Sequence, residues 1–174
     1  IAQVILCSVC AFVISRLLTQ EPEKWYWMFF MGAMMVPFAS IMLPQLVMYR
    51  EMGAYNNYAA LLLPFLYPYG FYVYLYKGFF DQIPGSYFEA ASLDGASNLY
   101  LYSKICMPLS KPIISLIALQ TFIGNWNDFF WAWMVTEDQN LWTLNVALYN
   151  ISNNVSTKQN ALMGLAVVTI TPVI

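Results

Sequence analysis

The 174-residue chain contains no histidine, the side chain most used for proton transfer and metal ligation near neutral pH. With only three cysteines, Cys7, Cys10 and Cys106, it also lacks what Ser-His or Cys-His catalysis and most metal sites need. The Cys7-x-x-Cys10 pair has no second ligand pair and lies in an apolar run, so it reads as packing rather than zinc or redox chemistry. Charge is scarce as well. Charged residues make up 9% of the chain and hydrophobic ones 60%, whereas roughly a quarter of a soluble domain is charged. A water-soluble globule is thereby excluded. Seven basic and nine acidic side chains leave a net charge of −2, without the basic excess that binds nucleic acid.

What the sequence does contain is long uncharged runs. Lys24 and Arg50 bracket 25 uncharged residues, and Glu51 and Lys77 bracket another 25. As helices, such runs reach about 37 Å, enough for a hydrocarbon core of roughly 30 Å. Residues 1–19, apolar apart from Arg16, predict a first span, and residues 112–136, interrupted only by Asp128, predict a fourth. The last 16 residues, from Gln159 to Ile174, are uncharged and still hydrophobic where the chain stops. The start lacks an initiating Met, a basic n-region and a small-residue cleavage site, so the chain reads as an internal fragment rather than one with a secretory signal. If the segment after the first span is cytoplasmic, Arg16, Lys24, Lys77, Lys104 and Lys111 lie inside, and Arg50 and Lys158 outside, as the positive-inside rule requires. The connections are then 20–24 and 81–111 inside, and 50–57 and 136–158 outside. Trp25, Trp27, Tyr55, Tyr58 and Trp142 fall near the interfaces of the bilayer, where they serve as anchors.

Prolines recur within spans, Pro37 and Pro44 in one and Pro64 and Pro68 in the next, and each removes a helical donor. Such breaks either line a wet pathway or kink helices for packing. On a helix, Phe65, Tyr69, Tyr72 and Tyr76 share a face, where the rings either stack on sugars or pack against neighbours. Asp128 is the one acid inside a span, where a carboxylate costs about 2.5 to 3.5 kcal/mol at mid-membrane. Asn125, Trp126, Asn127 and Asp128 either hydrogen-bond and stack on a polyol or clamp helices together. In the loop 136–158, Leu141, Leu144, Leu148 and Ile151 predict an amphipathic surface helix. The glycosylation sequons Asn150-Ile-Ser152 and Asn154-Val-Ser156 are read as chance.

The loop 81–111 is the most informative segment. Ser86 and Glu89 have the spacing of a capping box, which predicts a helix from Tyr87 to Asp94. Gly95 can take the left-handed conformation that ends it. Two turns are marginal alone, so a partner surface is expected, with the small Ala90, Ala91 and Ala96 allowing close approach. A second helical stretch runs from Ser97 to Cys106, and Pro108 and Pro112 close the loop and start the fourth span.

The spacing Glu89-Ala90-Ala91, three residues, Gly95, nine residues, Ile105, one residue, Met107-Pro108 resembles the EAA loop of binding-protein-dependent ABC importer permeases. Met107 stands where that pattern usually has Leu. Ile83-Pro84, Leu93-Asp-Gly-Ala-Ser97, Pro108-Leu-Ser-Lys-Pro112 and Gly124-Asn-Trp-Asn-Asp-Phe129 are similar to one branch, the smaller inner-membrane subunit of maltose-type carbohydrate importers. The resemblance covers essentially the whole chain. It implies an all-α, polytopic transmembrane bundle of type I, with this chain as a single permease domain over 1–174 holding the second to sixth of six spans. The cytoplasmic loop would be 81–111 and the outer loop 136–159. It further implies that Glu89, Ala90, Ala91, Asp94 and Gly95 form a coupling helix docking on a cytoplasmic ATPase dimer. The absence of a G-x-x-x-x-G-K-[ST] run agrees, because ATP must then be bound by the partner. This chain would be no enzyme and hold no cofactor.

The other partners the resemblance implies are a sister permease, an extracytoplasmic solute-binding protein and a sugar, in a bacterial or archaeal cytoplasmic membrane. Asn125 to Asp128, with Tyr69 and Tyr72, become candidates for the substrate path or gate. The alternatives are a permease for glycerol phosphate or a polyamine, or a channel or scaffold outside the class. A channel would need a filter or charge ring and an enzyme a cluster of ionisable residues, and neither is visible.

Overall fold

The uncharged runs form helices, broken mostly where proline removes a donor or a polar side chain offers a cap. The computed structural model describes residues 1–18, 20–153 and 159–173. Among them the order is α1 (Ala2–Phe12) with a π-helical turn Val13–Leu17, α2 (Gln20–Met34), α3 (Phe38–Glu51), α4 (Tyr58–Leu62) with a 3-10 turn Leu63–Phe65, and α5 (Gly70–Phe80). There follow α6 (Gly85–Leu93), α7 (Asn98–Tyr100), a second π-helical turn Leu101–Cys106, α8 (Met107–Leu109), α9 (Lys111–Trp126) and α10 (Phe130–Val135). A 3-10 turn Gln139–Leu141, α11 (Leu144–Ser152), α12 (Gln159–Ile170) and a last turn Thr171–Val173 complete the order. No strand occurs among the described residues, in agreement with the all-α expectation. The expected residues Asn154 to Ser156 of one sequon, and Lys158, lie outside those described.

The breaks differ from the expected spans. Residues 20–24, expected to connect two spans, already belong to α2, because Pro22 falls in the first turn, where a missing N–H costs no helical bond. Pro37 separates α2 from α3, whereas Pro44 is carried inside α3. Pro64 tightens the end of α4 into the 3-10 turn, and Pro68 lies in the non-helical residues before α5. The expected face Phe65-Tyr69-Tyr72-Tyr76 is thus interrupted at its start. By length and composition, Tyr58–Phe80, 23 residues, is the segment able to cross a membrane among the described residues. Up to three spans count if the helices flanking Pro37, and those meeting at 81° before Lys111, are each taken as one broken span, against five expected.

The helices gather in two compact units, one of Ile1–Pro37 and Phe65–Thr121, the other of Phe38–Pro64 and Phe122–Ile174. In the first, Cys7 and Ala11 of α1 and Ile14 of the π-helical turn after it face inward against Val73, Tyr76 and Phe80 of α5, all of them buried. Ser8 Oγ and Tyr102 Oη, 2.7 Å apart, link α1 to the second π-helical turn. Helix α2 also lies on α5, closely enough that a Cβ at Gly70 would sit 2.9 Å from both the Phe30 carbonyl oxygen and Met34 Cγ. Small residues permit such approach between membrane helices. Gly70→Val is therefore expected to push α5 off α2 and cost about 1–3 kcal/mol, the usual range for overpacking. Gly70→Ala should show a smaller effect of the same sign in thermal unfolding of the detergent-solubilised protein.

In the second unit, Tyr49, Ala54, Ala60, Trp131 and Val135 form the core. The turn after α3 uses Asn56 at φ +52, a left-handed conformation that asparagine tolerates. Asn56 donates its backbone N–H to the Val135 carbonyl at 3.0 Å. Its Oδ1 accepts from the Glu137 and Asp138 backbone N–H groups at 2.8 and 2.9 Å. One side chain thereby satisfies the chain as it leaves α10.

Candidate functional site

The loop expected to dock a partner begins where α5 ends. Asp81 caps α5 with its N–H on Lys77 O, while its carboxylate pairs with Lys77 Nζ at 2.7 Å and accepts from Ser15 Oγ at 2.5 Å. Helix α6 then starts at Gly85, two residues earlier than expected. Pro84 is the N-cap, with φ −55 and ψ 131, and no side chain caps the helix. The expected Ser86–Glu89 capping box does not form, because the ring of Pro84 sets the entry and leaves Ser86 inside the first turn. Glu89 instead folds back over that turn, its Oε1 3.5 Å from where a Gly85 Cβ would lie, and stays exposed.

The other end follows the expectation more closely. Asp94 is the C-cap and Gly95 has φ +81. Gly95 N–H donates to Ser92 O and Ala96 N–H to Ala91 O, each at 3.0 Å. These are the paired bonds of a Schellman motif, which satisfy the last free carbonyls. Of the nine residues in α6 only Phe88 is buried. Leu93 is 90% exposed, Leu99 74% and Tyr100 52%, beside the exposed Glu89, Ala90 and Asp94. Ala91 and Ala96 turn the other way and pack on the core of the unit, so of the three small residues expected to face a partner only Ala90 is exposed.

Phe88 is held by Arg16, for which the sequence predicts only a place on the inner side of the membrane. Arg16, at the end of the first π-helical turn, lies 4.5 Å from the centre of the Phe88 ring. Its Nη2 donates to the Phe80 and Ile83 carbonyls, the latter at 2.7 Å. An isolated base closing an otherwise apolar run was the available signal.

The second candidate group sits where α9 stops. Trp126 Nε1 donates to Thr169 O of α12 at 2.9 Å, and Asn145 Nδ2 of α11 donates to Trp126 O at 2.7 Å. Asp128 Oδ1 accepts the Trp131 N–H at 3.3 Å, satisfying a free donor at the start of α10 with a favourably placed negative charge. Asn125 and Asn127 are exposed. Asn127 lines an open cleft of about 570 Å3 with Phe129, Asn145, Tyr149, Ser152 and Met163. Tyr69 and Tyr72 belong to the other unit, their rings edge to face with centroids 5.2 Å apart.

The expected surface helix is α11, but it starts at Leu144, capped by Thr143 Oγ1 on Val146 N–H. Leu141 falls in a separate turn, and the buried residue of α11 is Val146 rather than a leucine. Trp142 and Thr143 are extended, which breaks the leucine spacing. No group of three or more potential metal ligands occurs among the described residues.

Residues 4–174 match the protein family described as binding-protein-dependent transport system inner membrane component. Protein LplC of Bacillus subtilis (strain 168) is 35% identical over 133 residues, 72% of this chain and 44% of that protein. The sn-glycerol-3-phosphate transport system permease protein UgpE of Brucella abortus (strain 2308) is 30% identical over 176 residues, all of this chain and 62% of its own length. The multiple sugar-binding transport system permease protein MsmG of Streptococcus mutans serotype c is 34% identical over 119 residues, 67% of this chain and 43% of that protein. Alignment with this chain thus accounts for 43% to 62% of the length of these curated relatives. Among solved structures, a bacterial ABC transporter involved in the import of the acidic polysaccharide alginate has the same fold, with a TM-score of 0.82 and 23% identity over 99% of this chain and 65% of that one.

Proposed function

Because the chain belongs to the family of binding-protein-dependent transport system inner membrane components, we propose that it is part of a permease subunit of an ATP-driven sugar importer. In this reading its helices supply the second to sixth spans of a six-span subunit in a bacterial or archaeal cytoplasmic membrane. The partners are an ATPase dimer at α6, a sister permease, and a solute-binding protein outside. Glu89, Ala90, Asp94 and Gly95 present the docking surface, and ATP is bound by the ATPase rather than by this chain.

The observation that carries the reading is α6 itself. It is a two-turn helix that buries one side chain, ends on a left-handed glycine and exposes Leu93 with the carboxylates of Glu89 and Asp94, and the following α7 exposes Leu99 and Tyr100. Large apolar side chains left exposed among charged ones suit a protein contact, and so short a helix gains stability from a groove that receives it.

A second reading is import of glycerol phosphate, the solute named for UgpE. A phosphate dianion calls for Arg or Lys donors, whereas among the described residues the cleft beside Asn127 is lined by Asn145, Ser152, the rings of Phe129 and Tyr149, and the apolar Leu148, Leu162, Met163 and Ala166, with no basic side chain. Those residues offer no cation to a phosphate, which favours a neutral solute.

The test is gentle affinity purification of the full-length tagged protein from its native membrane. The wild type should bring down an ATPase, a second permease and a sugar-binding protein, and a Glu89→Lys, Gly95→Asp double variant should lose the ATPase while keeping the second permease. No ATPase with the wild type would reject the reading. For the second site, Asp128→Asn keeps an oxygen to accept the Trp131 N–H, so assembly and melting temperature should hold. Transport should still fall several-fold, and unchanged uptake would remove Asp128 from the path or gate.

A further inference from the structure

From the geometry at the end of α1 we infer that Arg16 is a positioning residue for α6, joining it to α1 and α5 so that force applied at α6 moves all three helices together. The inference rests on the importer reading and deepens it, by naming what makes the docking helix stiff against the bundle.

The two hydrogens of one guanidinium nitrogen, Nη2, go to two carbonyls, those of Phe80 and Ile83. Phe80 is the last residue of α5, and its carbonyl accepts the Ile83 N–H at 3.1 Å as well as the Arg16 donor; the helix dipole is negative at this end, so a fixed cation is favoured there. Ile83 immediately precedes Pro84, the N-cap of α6. Arg16 thus grips both ends of the α5–α6 junction. The guanidinium carbon of the same group lies over the ring of Phe88, 4.5 Å from its centre, a cation–π contact with the single buried side chain of α6. Phe12, one turn earlier on α1, meets the same ring at 6.4 Å.

The π-helical turn Val13–Leu17 helps to explain the aim of these side chains. Leu18 N–H bonds back to Val13 O at 3.0 Å, a widened turn of the kind that often marks functional positions. Here the consecutive residues Ser15 and Arg16 both reach the segment 80–83, Ser15 through the Asp81 carboxylate. That carboxylate is already shared with Lys77, and no acid pairs with Arg16 among the described residues. Its contacts are two backbone carbonyls, both reached from Nη2, and a ring over which the flat guanidinium carbon lies. Lysine, a point charge on a flexible stem, reproduces only part of this.

The experiment uses the full-length importer complex purified through a tag on the ATPase, so that every permease analysed carries its partner, and follows amide hydrogen exchange. Arg16→Gln should raise exchange across residues 88–95 about tenfold and leave residues 73–79 of α5 within about twofold of wild type. Permease recovered per ATPase should fall several-fold. Arg16→Lys should lie between, and Phe88→Leu, which keeps the carbonyl contacts, should raise α6 exchange less than Arg16→Gln. Unchanged exchange in 88–95, or an equal rise through α1, α5 and α6, would overturn the inference by showing no role or only a general structural one. Failure of both Arg16 variants to assemble would assign the residue to folding alone and overturn it likewise. If the tagged ATPase brings down no wild-type permease, the importer reading itself falls, and the coupling role of Arg16 with it.

Discussion

Gly95→Val is expected to remove most of the ATPase recovered per permease, with Gly95→Asn keeping the largest share of the variants and Gly95→Ala lying between. The cause is conformational. Nothing lies within 4 Å of a Cβ built at Gly95, so added bulk meets open space, but φ is +81. A left-handed conformation costs an ordinary L-residue roughly 1–2 kcal/mol and more for a β-branched one, while asparagine tolerates it. Valine therefore either strains the turn or abandons it. If the turn is abandoned, the bonds from Gly95 and Ala96 N–H to Ser92 and Ala91 O are lost. Helix α6, nine residues long, then frays from the end that carries Leu93 and Asp94. At about 1.4 kcal/mol per factor of ten, strain of about 2–3 kcal/mol predicts a docking loss of about 30- to 150-fold. Affinity purification with quantitative mass spectrometry reads that ratio. Equal recovery from wild type and Gly95→Val would mean that the turn is not held when the partner docks.

Gly95 was legible because its requirement is local: a short helix needs a residue that turns left-handed, and Gly is the type that does so without cost. The start of the same helix was misread for an equally local reason. Ser86 and Glu89 have the right spacing, but Pro84 presets the entry and shifts the helix two residues upstream. Prolines announced that the long runs would break, yet not which would do so. Pro44 stays within α3 while Pro37 and Pro68 lie between helices, since the outcome depends on whether neighbouring groups satisfy the freed carbonyls. The stop after Trp126 has no proline at all. It depends on bonds from α11 and to α12, partners 19 and 43 residues away. Arg16 is the extreme case. Its acceptors are main-chain oxygens 64 and 67 residues distant, and any sequence has carbonyls everywhere, so no side-chain pattern marks them.

Trp131→Ala should be the most destabilising single change in the second unit, at about 3–5 kcal/mol, the usual range for truncating a buried tryptophan. Three losses combine. The indole is 4% exposed, so its removal leaves a cavity among Tyr49, Ala60 and Val135. The rings of Tyr49 and Phe38 lose an edge-to-face partner at 5.5 and 6.3 Å, contacts worth roughly 0.5–1.5 kcal/mol each beyond area. Finally, Ala60 O loses the indole N–H donated at 3.0 Å, and an unsatisfied buried acceptor costs about 1–3 kcal/mol. Trp131→Phe separates these contributions, because it keeps a ring against Tyr49 and Phe38 but still orphans the Ala60 carbonyl. Its expected cost is about 1–3 kcal/mol. For a chain of this size about 2–4 °C of melting temperature corresponds to each kcal/mol, so Trp131→Ala should melt roughly 10 °C below wild type in detergent and Trp131→Phe a few degrees below. Equal melting of Trp131→Phe and wild type would show that the indole bond contributes nothing net. The ring packing alone would then join α10 to α3 and α4, and a purely apolar replacement of similar size should serve as well.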